Sequence, residues 1–412
     1  MNRQRSSPTS RSWFFLALAN LLVATLIGVL LRTVFIGEVP FIRFRPWLHA
    51  HSHVAMLGWL FPAIVVALMH DGGRHPLSRR SHHLLTALQI AVVLMLLSFP
   101  VQGYGAVSIT ASTLHLVLSY MALAMLWRLS LQWPKQGSGR LTRWAIILYV
   151  LSSLGVWTMA PLIATGNQGK EVYYWAVQFY LHFQFNGWYW FAAMALGARW
   201  AERQGFALRI DGLTLGLWVA SALLTYALAI AWSEPHPAVF ATVSLGVILQ
   251  LWAALRTLGQ LRKLERPAHD RLPTWVRVLV GVALISMALK VLVQVTVAVP
   301  AVAVMALTIR HYVMGFIHMN TLATMTTLLL AYALTQGWLD VRATLVRAGL
   351  VLVVIGIIGS ELMLFAQGTL WWAGLGMIPG HYIQLAVVST LIPVGVAALL
   401  FGARGSAQEQ RL

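Results

Sequence analysis

The sequence contains no cysteine and few charged residues, which make up 10% of its 412 residues. Without cysteine, this chain cannot form disulfides, thiolate metal sites or cysteine-ligated iron-sulfur clusters. Any metal that it binds must be held by nitrogen, oxygen or methionine sulfur. Acidic residues are the rarer charged class, with 11 Asp and Glu against 29 Lys and Arg.

Hydrophobic residues make up 59% of the chain, and its mean hydropathy is +0.75. Its apolar runs are long enough to cross a hydrocarbon core of about 30 Å, which takes about 20 helical residues. We therefore predict an all-α polytopic membrane protein, embedded in the lipid bilayer by twelve helical spans. The predicted spans are 13–36, 47–69, 82–99, 106–130, 143–165, 173–199, 211–232, 236–257, 275–297, 306–335, 345–366 and 376–402.

Basic residues are distributed unevenly across the predicted membrane. All but six of the 29 fall on one side, the exceptions being Arg32, Arg43, Arg45, Lys170, Lys290 and Arg310. The positive-inside rule then predicts an integral protein of the bacterial inner (cytoplasmic) membrane with both termini in the cytoplasm, and no nucleic-acid partner. We expect a disordered cytoplasmic N-terminus at 1–12, a single membrane domain at 13–402 and a cytoplasmic tail at 403–412.

Histidine motifs on three spans indicate an internal repeat. Span 2 contains H-x-x-x-x-G-W beginning at His53, and span 6 repeats it from His182. Span 10 contains "RHYVMGFIH", with His311 and His318. Because spans 2, 6 and 10 are each the second of a group of four, we predict three pseudo-symmetric four-helix arcs.

The histidines of span 2, in "LHAHSHVAMLGW", point in different directions. Residues two apart on a helix differ by about 200°, so His51 and His53 face opposite neighbours, whereas His49 shares the face of His53. Intramembrane ionisable groups are costly and indicate function, and a neutral imidazole is the commonest metal ligand. We interpret span 2 as offering axial ligands to both sides, with the motif glycine leaving room for a flat cofactor. Polar packing or a proton path is the alternative.

These spans resemble the haem-copper oxidase superfamily, whose catalytic subunit has twelve helices in three arcs and ligands on helices 2, 6, 7 and 10. "HSHVAMLGW" is similar to the H-x-H-x-x-x-x-G-W of cbb-type oxidases, although there it lies on the tenth helix. It is also similar to the "HAHEM-x-F-G" stretch of the NnrS family, haem-containing twelve-span proteins of nitric-oxide stress. "HYVMGFIHMNTLATMT" resembles a late NnrS helix.

The resemblance implies b-type haem, one or two groups, with a bis-histidine haem between spans 2 and 10 as the preferred arrangement. His311 is a further cofactor-binding candidate, and His49 and His236 are further metal candidates. The candidate ligands of haem iron are His51, His53, His182 and His318.

Other polar residues would complete such a site. Arginine matches a carboxylate bidentately, so haem propionates are expected at Arg43, Arg45 and Arg310, with interfacial snorkelling as the alternative. Asn186 would hydrogen-bond a haem-bound diatomic ligand.

Two features of the copper site of oxidases are missing. Asn186 occupies the position at which many oxidases have tyrosine, and span 7, "DGLTLGLWVASALLTYALAIAW", has no His-His pair. A complete copper site is therefore not expected. Lys290 and Glu361 would form a proton route or pair with each other.

Three functions fit these features. The first is a haem-dependent oxidoreductase resembling oxygen or nitric-oxide reductases, which takes electrons from a cytochrome or quinol and acts on O2 or NO. The second is a non-catalytic haem or metal sensor, or a protein that protects against nitrosative stress. The third is a histidine-dependent transporter. The sequence favours the first without identifying catalytic residues.

Overall fold

The computed structural model describes residues 9–70, 77–206, 208–269 and 272–409, and of 263–269 and 404–409 the backbone alone. These ranges are helical with connecting turns and contain no β-strand. Eleven continuous helical stretches among the described residues, some of them made of several helices joined end to end, are long and apolar enough to cross a membrane. The prediction of an all-α polytopic membrane protein is confirmed.

Sixteen α-helices and three π-helical segments make up the described chain, with a 3-10 turn at Thr225–Ala229. The π-helical segments are π1 (Val54–Leu60), π2 (Gln184–Trp188) and π3 (Met319–Thr326). The α-helices are α1 (Ser10–Thr33), α2 (Phe44–His53), α3 (Phe61–Met69), α4 (Arg79–Gln102), α5 (Ala106–Ser130), α6 (Ser138–Ala164), α7 (Glu171–Phe183), α8 (Tyr189–Arg203), α9 (Gly212–Leu224), α10 (Pro237–His269), α11 (Thr274–Thr296), α12 (Pro300–Thr308), α13 (Arg310–His318), α14 (Thr327–Thr335), α15 (Thr344–Trp372) and α16 (His381–Glu409).

Several boundaries differ from those predicted. Span 6 is helical from Glu171 to Arg203 but is not among the eleven apolar spans, because its glutamines, asparagine and histidine lower its hydropathy. Span 10 begins at Arg310 and not at 306, since the extended backbone of Ile309 separates α12 from α13. Helix α10 continues beyond 257 to His269.

The chain termini are also more helical than expected. Helix α1 begins at Ser10, inside the segment predicted to be disordered, because the Thr9 hydroxyl accepts the N–H of Ser12 and caps the helix. Helix α16 runs to Glu409, inside the predicted tail. Residues 1–8 and 410–412 of these two predicted segments lie outside the described residues.

The chain divides into two compact units. Unit 1 consists of residues 1–126, 329–363 and 377–412, and unit 2 of residues 127–328 and 364–376. In unit 1, α1 runs antiparallel to α16. Arginines near the two ends of α1 donate hydrogen bonds to main-chain carbonyls of α16. Arg11 donates to the carbonyl of Ala403 over 3.0 Å, and Arg32 to that of Leu385 over 3.1 Å.

In unit 2, α6 packs antiparallel along α7 and π2. A Cβ on Gly155 would lie 2.4 Å from the carbonyl oxygen of Ala176, so the two backbones touch where only glycine fits. Farther along, the amide of Gln184 donates to the hydroxyl of Ser152 over 2.8 Å. These contacts fix the position of span 6, which carries one of the motif histidines.

Helix α9 is capped and tied to α10 at its first turn. An Asp211 carboxylate oxygen accepts the N–H of Thr214 at 2.8 Å, and the other accepts from Arg256 at 2.9 Å. The Nε of Arg256 also donates to the Thr214 hydroxyl over 2.8 Å. The backbone hydrogen bond from Thr214, together with Arg256, lowers the pKa of Asp211 to about 2.

Replacing Asp211 with alanine is expected to lower the thermal unfolding midpoint in detergent, because loss of an N-cap costs about 1 kcal/mol. A carboxyl whose folded-state pKa lies below its unfolded value of about 3.9 stabilises fully above that value. This stabilisation is lost as the pH falls toward 2. The difference between wild type and Asp211→Ala should therefore be full at pH 7 and shrink below pH 4.

Asp211→Asn is the matched control, because its side-chain oxygen keeps the cap while the charge is lost. It should be less destabilising than Asp211→Ala, and its own midpoint should depend less on pH than that of wild type. Equal losses in both variants at every pH would show that neither the cap nor the charge of Asp211 stabilises α9.

Candidate functional site

Each of the three histidine motifs leads into a π-helical segment. π1 follows His53 directly, π2 begins two residues after His182, and π3 follows His318 directly. π-helical turns are rare and occur frequently at functional sites. Their occurrence at the same place in spans 2, 6 and 10 supports the predicted relationship among these spans.

His51 and His53 face different neighbours in unit 1, as the helical angles predict. The Nδ1 of His51 donates to the carbonyl of Ala24 on α1 over 2.8 Å, and its ring lies against Gly28. The Nδ1 of His53 donates to the carbonyl of His49 over 2.8 Å, and its ring centre lies 4.4 Å from that of Phe99. A carbonyl accepts only from a protonated nitrogen, so in both rings the lone pair is on Nε2.

The outer end of span 2 carries the other predicted residues of unit 1. The ring of His49 lies 4.6 Å from that of Tyr104, while its carbonyl holds His53. Arg43 donates to the carbonyls of Pro100 and Val101, near the end of α4. It therefore already binds protein carbonyls, which are favoured partners of a cation at a helix C-terminus.

Arg45 and Arg310 are both exposed, and Arg310 begins α13. Their assignment to propionates stays a prediction, as does that of Arg43.

The motif glycines serve helix packing. A Cβ on Gly58 would lie 2.9 Å from the side chain of Val92, and one on Gly187 would lie 2.7 Å from Cβ of Leu148. The space beside each glycine is thus filled by a neighbouring helix. The expectation that this glycine leaves room for a flat cofactor is therefore wrong, because protein side chains already occupy that space.

His182 uses both ring nitrogens within unit 2. Its Nε2 lies 2.8 Å from the carbonyl of Ala222 and must donate to it, while its Nδ1 accepts from the amide of Asn186 at 3.2 Å. In this conformation His182 presents no lone pair to a metal, so ligation would require it to give up the bond to Ala222. Its role as an iron ligand stays a prediction, as does the predicted bond of Asn186 to a diatomic ligand.

The hydrogen bonds of Asn186 continue into a buried ring of side chains. Its Oδ1 accepts from the amide of Gln294 at 3.1 Å, and the Oε1 of Gln294 accepts from Gln250 at 3.0 Å. Gln250 in turn accepts from the hydroxyl of Ser221, the residue before Ala222, so the ring closes on α9. The sequence signal was available for Gln250 and Gln294, which are isolated polar residues in apolar spans, but their partners depend on which helices are neighbours.

A cavity of about 480 Å³ opens beside this ring, within unit 2. His182, Asn186 and Gln294 line one part of it, and apolar residues of α11, α12, α13 and α15 line most of the rest. Helix α13 presents residues 312, 313, 316 and 317 to the cavity. His311 and His318 lie on the opposite face of that helix, and the ring of His311 lies 4.4 Å from that of Trp371.

The remaining metal candidate has a local structural role. His236 is exposed and precedes α10, and its Nδ1 accepts the N–H of Ala238 at 3.2 Å. Among the residues that the structure describes, no three His, Asp or Glu side chains lie close enough to hold one metal ion. Because His51 and His53 belong to unit 1 and His318 to unit 2, the bis-histidine pairing of spans 2 and 10 stays a prediction.

Two buried charges have different neighbours. Lys290, only 2% exposed, lies in unit 2 with its ammonium 4.0 Å from the ring centre of Trp190, a cation-π contact. Glu361, in unit 1, interacts electrostatically with Arg32. The sequence did not identify either neighbour. A proton route through Lys290 and Glu361 stays a prediction.

Comparison with known proteins shows the fold. The chain is similar to a haem-copper terminal oxidase whose dimer was solved by cryo-EM, with a TM-score of 0.63 and 12% sequence identity. The match covers 96% of this chain and 84% of that chain. No family model and no curated protein matches the sequence. Over nearly its whole length, the chain therefore has the fold of a haem-copper oxidase chain.

Replacing Gly187 with alanine is expected to destabilise the protein by about 1 to 3 kcal/mol, because the new methyl group would overpack against Leu148. Gly197, on α8 of the same span, is the matched control, since a Cβ added there would have no atom within 4 Å. Gly197→Ala should be neutral or stabilise by up to about 1 kcal/mol. Thermal unfolding in detergent measures both. Equal effects would show that Gly187 is not a packing contact.

Proposed function

We propose that this chain is a haem-binding membrane protein that carries out redox or ligand chemistry on O2 or NO. The observation that carries the proposal is the fold, which the chain shares with a haem-copper terminal oxidase over 96% of its length. Fold alone does not establish function, so the ligand residues provide the second line of support.

The histidines of span 2 fit haem. In both His51 and His53 a backbone carbonyl holds Nδ1, which orients the ring and leaves Nε2 as the ligating nitrogen. Gly28 gives the His51 ring its space, because a Cβ there would come within 3.0 Å of Cε1. When bound, haem would supply electron transfer or binding of a diatomic ligand at iron.

The rest of the proposed site follows the resemblance. His318 on α13 is proposed as a further haem ligand, and His311 and the outer arginines are proposed to hold the cofactor edge. We propose b-type haem, since c-type attachment uses cysteine and this chain has none. Electrons come from a cytochrome or a quinol, and both termini lie in the bacterial cytoplasm, by the distribution of basic residues.

One observation favours the non-catalytic alternative, a haem-based sensor or protective protein. Both nitrogens of His182 are engaged in hydrogen bonds, so span 6 offers no ready ligand for a second metal beside haem. Under this alternative the histidines of span 2 would hold haem, which would serve sensing or protection without catalysis.

An absorption spectrum of the purified protein tests the proposal. Wild type should show a Soret band and yield extractable haem. Substitution of His51, His53 or His318 by alanine should lower the haem content or change the absorption bands from those of low-spin haem to those of high-spin haem, because a nitrogen ligand would be lost. His182→Ala tests the predicted ligation by His182: loss of haem would support it, whereas unchanged haem content would show that His182 serves only its hydrogen bonds with Ala222 and Asn186.

His83→Ala is the control, because His83 is an exposed histidine at the start of α4 and should leave the spectrum unchanged. A wild-type preparation from haem-replete cells that has no Soret band and no extractable haem would overturn the proposal.

Adding carbon monoxide to the reduced protein and recording its absorption bands distinguishes ligand chemistry from the non-catalytic alternative. A shift of the reduced bands shows an open axial position and supports ligand chemistry, whereas unchanged bands support the non-catalytic alternative.

A further inference from the structure

We propose that the cavity of unit 2 binds a quinone, that is, a flat, uncharged, lipid-soluble ring that carries carbonyl oxygens. The use of this molecule as an electron donor rests on the proposed haem function, whereas its binding does not. No predicted haem ligand of span 2 or α13 is among the described residues that line the cavity, whereas His182, a predicted iron ligand, is.

The walls of the cavity select an uncharged, apolar ligand. Its volume of about 480 Å³ is within the range of about 300 to 1,000 Å³ that is usual for small-molecule sites. Aliphatic and aromatic side chains form most of the lining, including Val297, Met305, Phe316 and Phe365. No Asp, Glu, Lys or Arg is among the described residues that line it. A charged ligand would therefore be buried without compensation, which is costly.

Two buried amides supply the hydrogen bonds that a carbonyl oxygen requires. Asn186 is 7% exposed and Gln294 is 5% exposed, and both line the cavity. Each amide nitrogen carries two protons, and each uses one of them within the ring, toward His182 and Asn186 respectively. The second proton of each amide remains to be satisfied, and a quinone carbonyl accepts such protons without introducing charge.

The cavity also reaches the protein surface. Thr296, Thr369 and Trp372 line it and are exposed, whereas Asn186 and Gln294 are buried. A ligand can thus place its polar ring against the amides while an apolar tail leaves past the exposed residues. Aromatic side chains along the way, such as Phe316, favour contact with a flat ring.

Haem is the other flat molecule to consider, and the lining fits it less well. His182 is the one histidine among the described lining residues, and both of its nitrogens are in hydrogen bonds. Haem also brings two propionates, which require cationic or multiple donor partners, and no described lining residue is cationic. A quinone requires neither an iron ligand nor a cation.

Binding can be measured with decylubiquinone, a benzoquinone with a ten-carbon tail. The full-length protein would be placed in quinone-free phospholipid nanodiscs and titrated by calorimetry, with empty nanodiscs subtracted. Gln294→Leu should weaken binding about tenfold through loss of a hydrogen bond to the carbonyl. Met305→Trp, which fills the apolar part of the cavity, should abolish binding while leaving the amides in place.

Gln184→Leu is the matched control for Gln294→Leu, because Gln184 is also a buried amide but lies on span 6, bonds Ser152 and does not line the cavity. It should bind decylubiquinone as wild type does. Decylbenzene, which has the tail but no carbonyls, should bind at least about tenfold more weakly than decylubiquinone in wild type.

The outcomes separate this inference from the proposed function. Wild-type protein that contains haem but does not bind decylubiquinone, or equal binding by wild type and Met305→Trp, would overturn the quinone site alone. Loss of haem in Met305→Trp with no loss in Gln184→Leu would also overturn it, by showing that haem fills the cavity. Quinone binding by a protein that contains no haem would support the site while the haem function fails.

Discussion

The structure depends on one constraint, which is that polar groups within the apolar part of a membrane protein must find partners in the protein itself. The constraint is strongest at the π-helical segments. There the spacing of main-chain hydrogen bonds changes, so some carbonyls lose the N–H partner that they would have in an α-helix. In π1 the carbonyl of Gly58 accepts from Asn20 at 2.9 Å, and that of Leu57 accepts from His115 at 3.2 Å. In π3 the hydroxyl of Thr326 donates to the carbonyl of Thr321 over 2.9 Å.

The same constraint divides the intramembrane histidines into two groups. His115 and His182 each engage both ring nitrogens in hydrogen bonds within their own units, so they act as structural links between helices. His51 and His53 each have one nitrogen held by a carbonyl and the other left as a lone pair. Similar residues in similar helices thus differ in the chemistry they offer. The difference favours span 2 as the source of axial ligands.

Hydropathy was sufficient to predict most of the fold, because membrane spans are long and their composition is constrained by the bilayer. It failed at points where a local interaction decides the boundary, such as the Thr9 cap that begins α1 and the extended Ile309 that separates α12 from α13. The π-helical segments could not be predicted. One extra residue in a helix hardly changes the pattern of its apolar side chains, and the segments share no composition, since π1 lies in an apolar span and π2 in span 6, which is not among the eleven apolar spans.

The candidate site could be predicted only in part. Helix geometry alone predicts that His51 and His53 point in opposite directions. In the structure the two rings do contact different helices, α1 and α4. The ring that holds His182 requires knowing that Gln294 and Asn186 lie side by side, although they are far apart in sequence, and no periodicity gives that information. The motif glycine was misinterpreted for the same reason, since a conspicuous small residue beside a histidine suits a cofactor and a close helix contact equally well.

At 12% sequence identity, a shared fold does not determine the chemistry, which depends on the individual side chains of the site. In this chain the polar residues of span 6 hold one another: Gln184 binds Ser152, and Asn186 binds both His182 and Gln294. Such a network is rigid, because any rotation of His182 would separate its Nε2–H from the carbonyl of Ala222 and the Asn186 amide from its acceptor. It therefore suits a site that recognises a neutral ligand by fixed hydrogen bonds better than one that must release an imidazole to a metal.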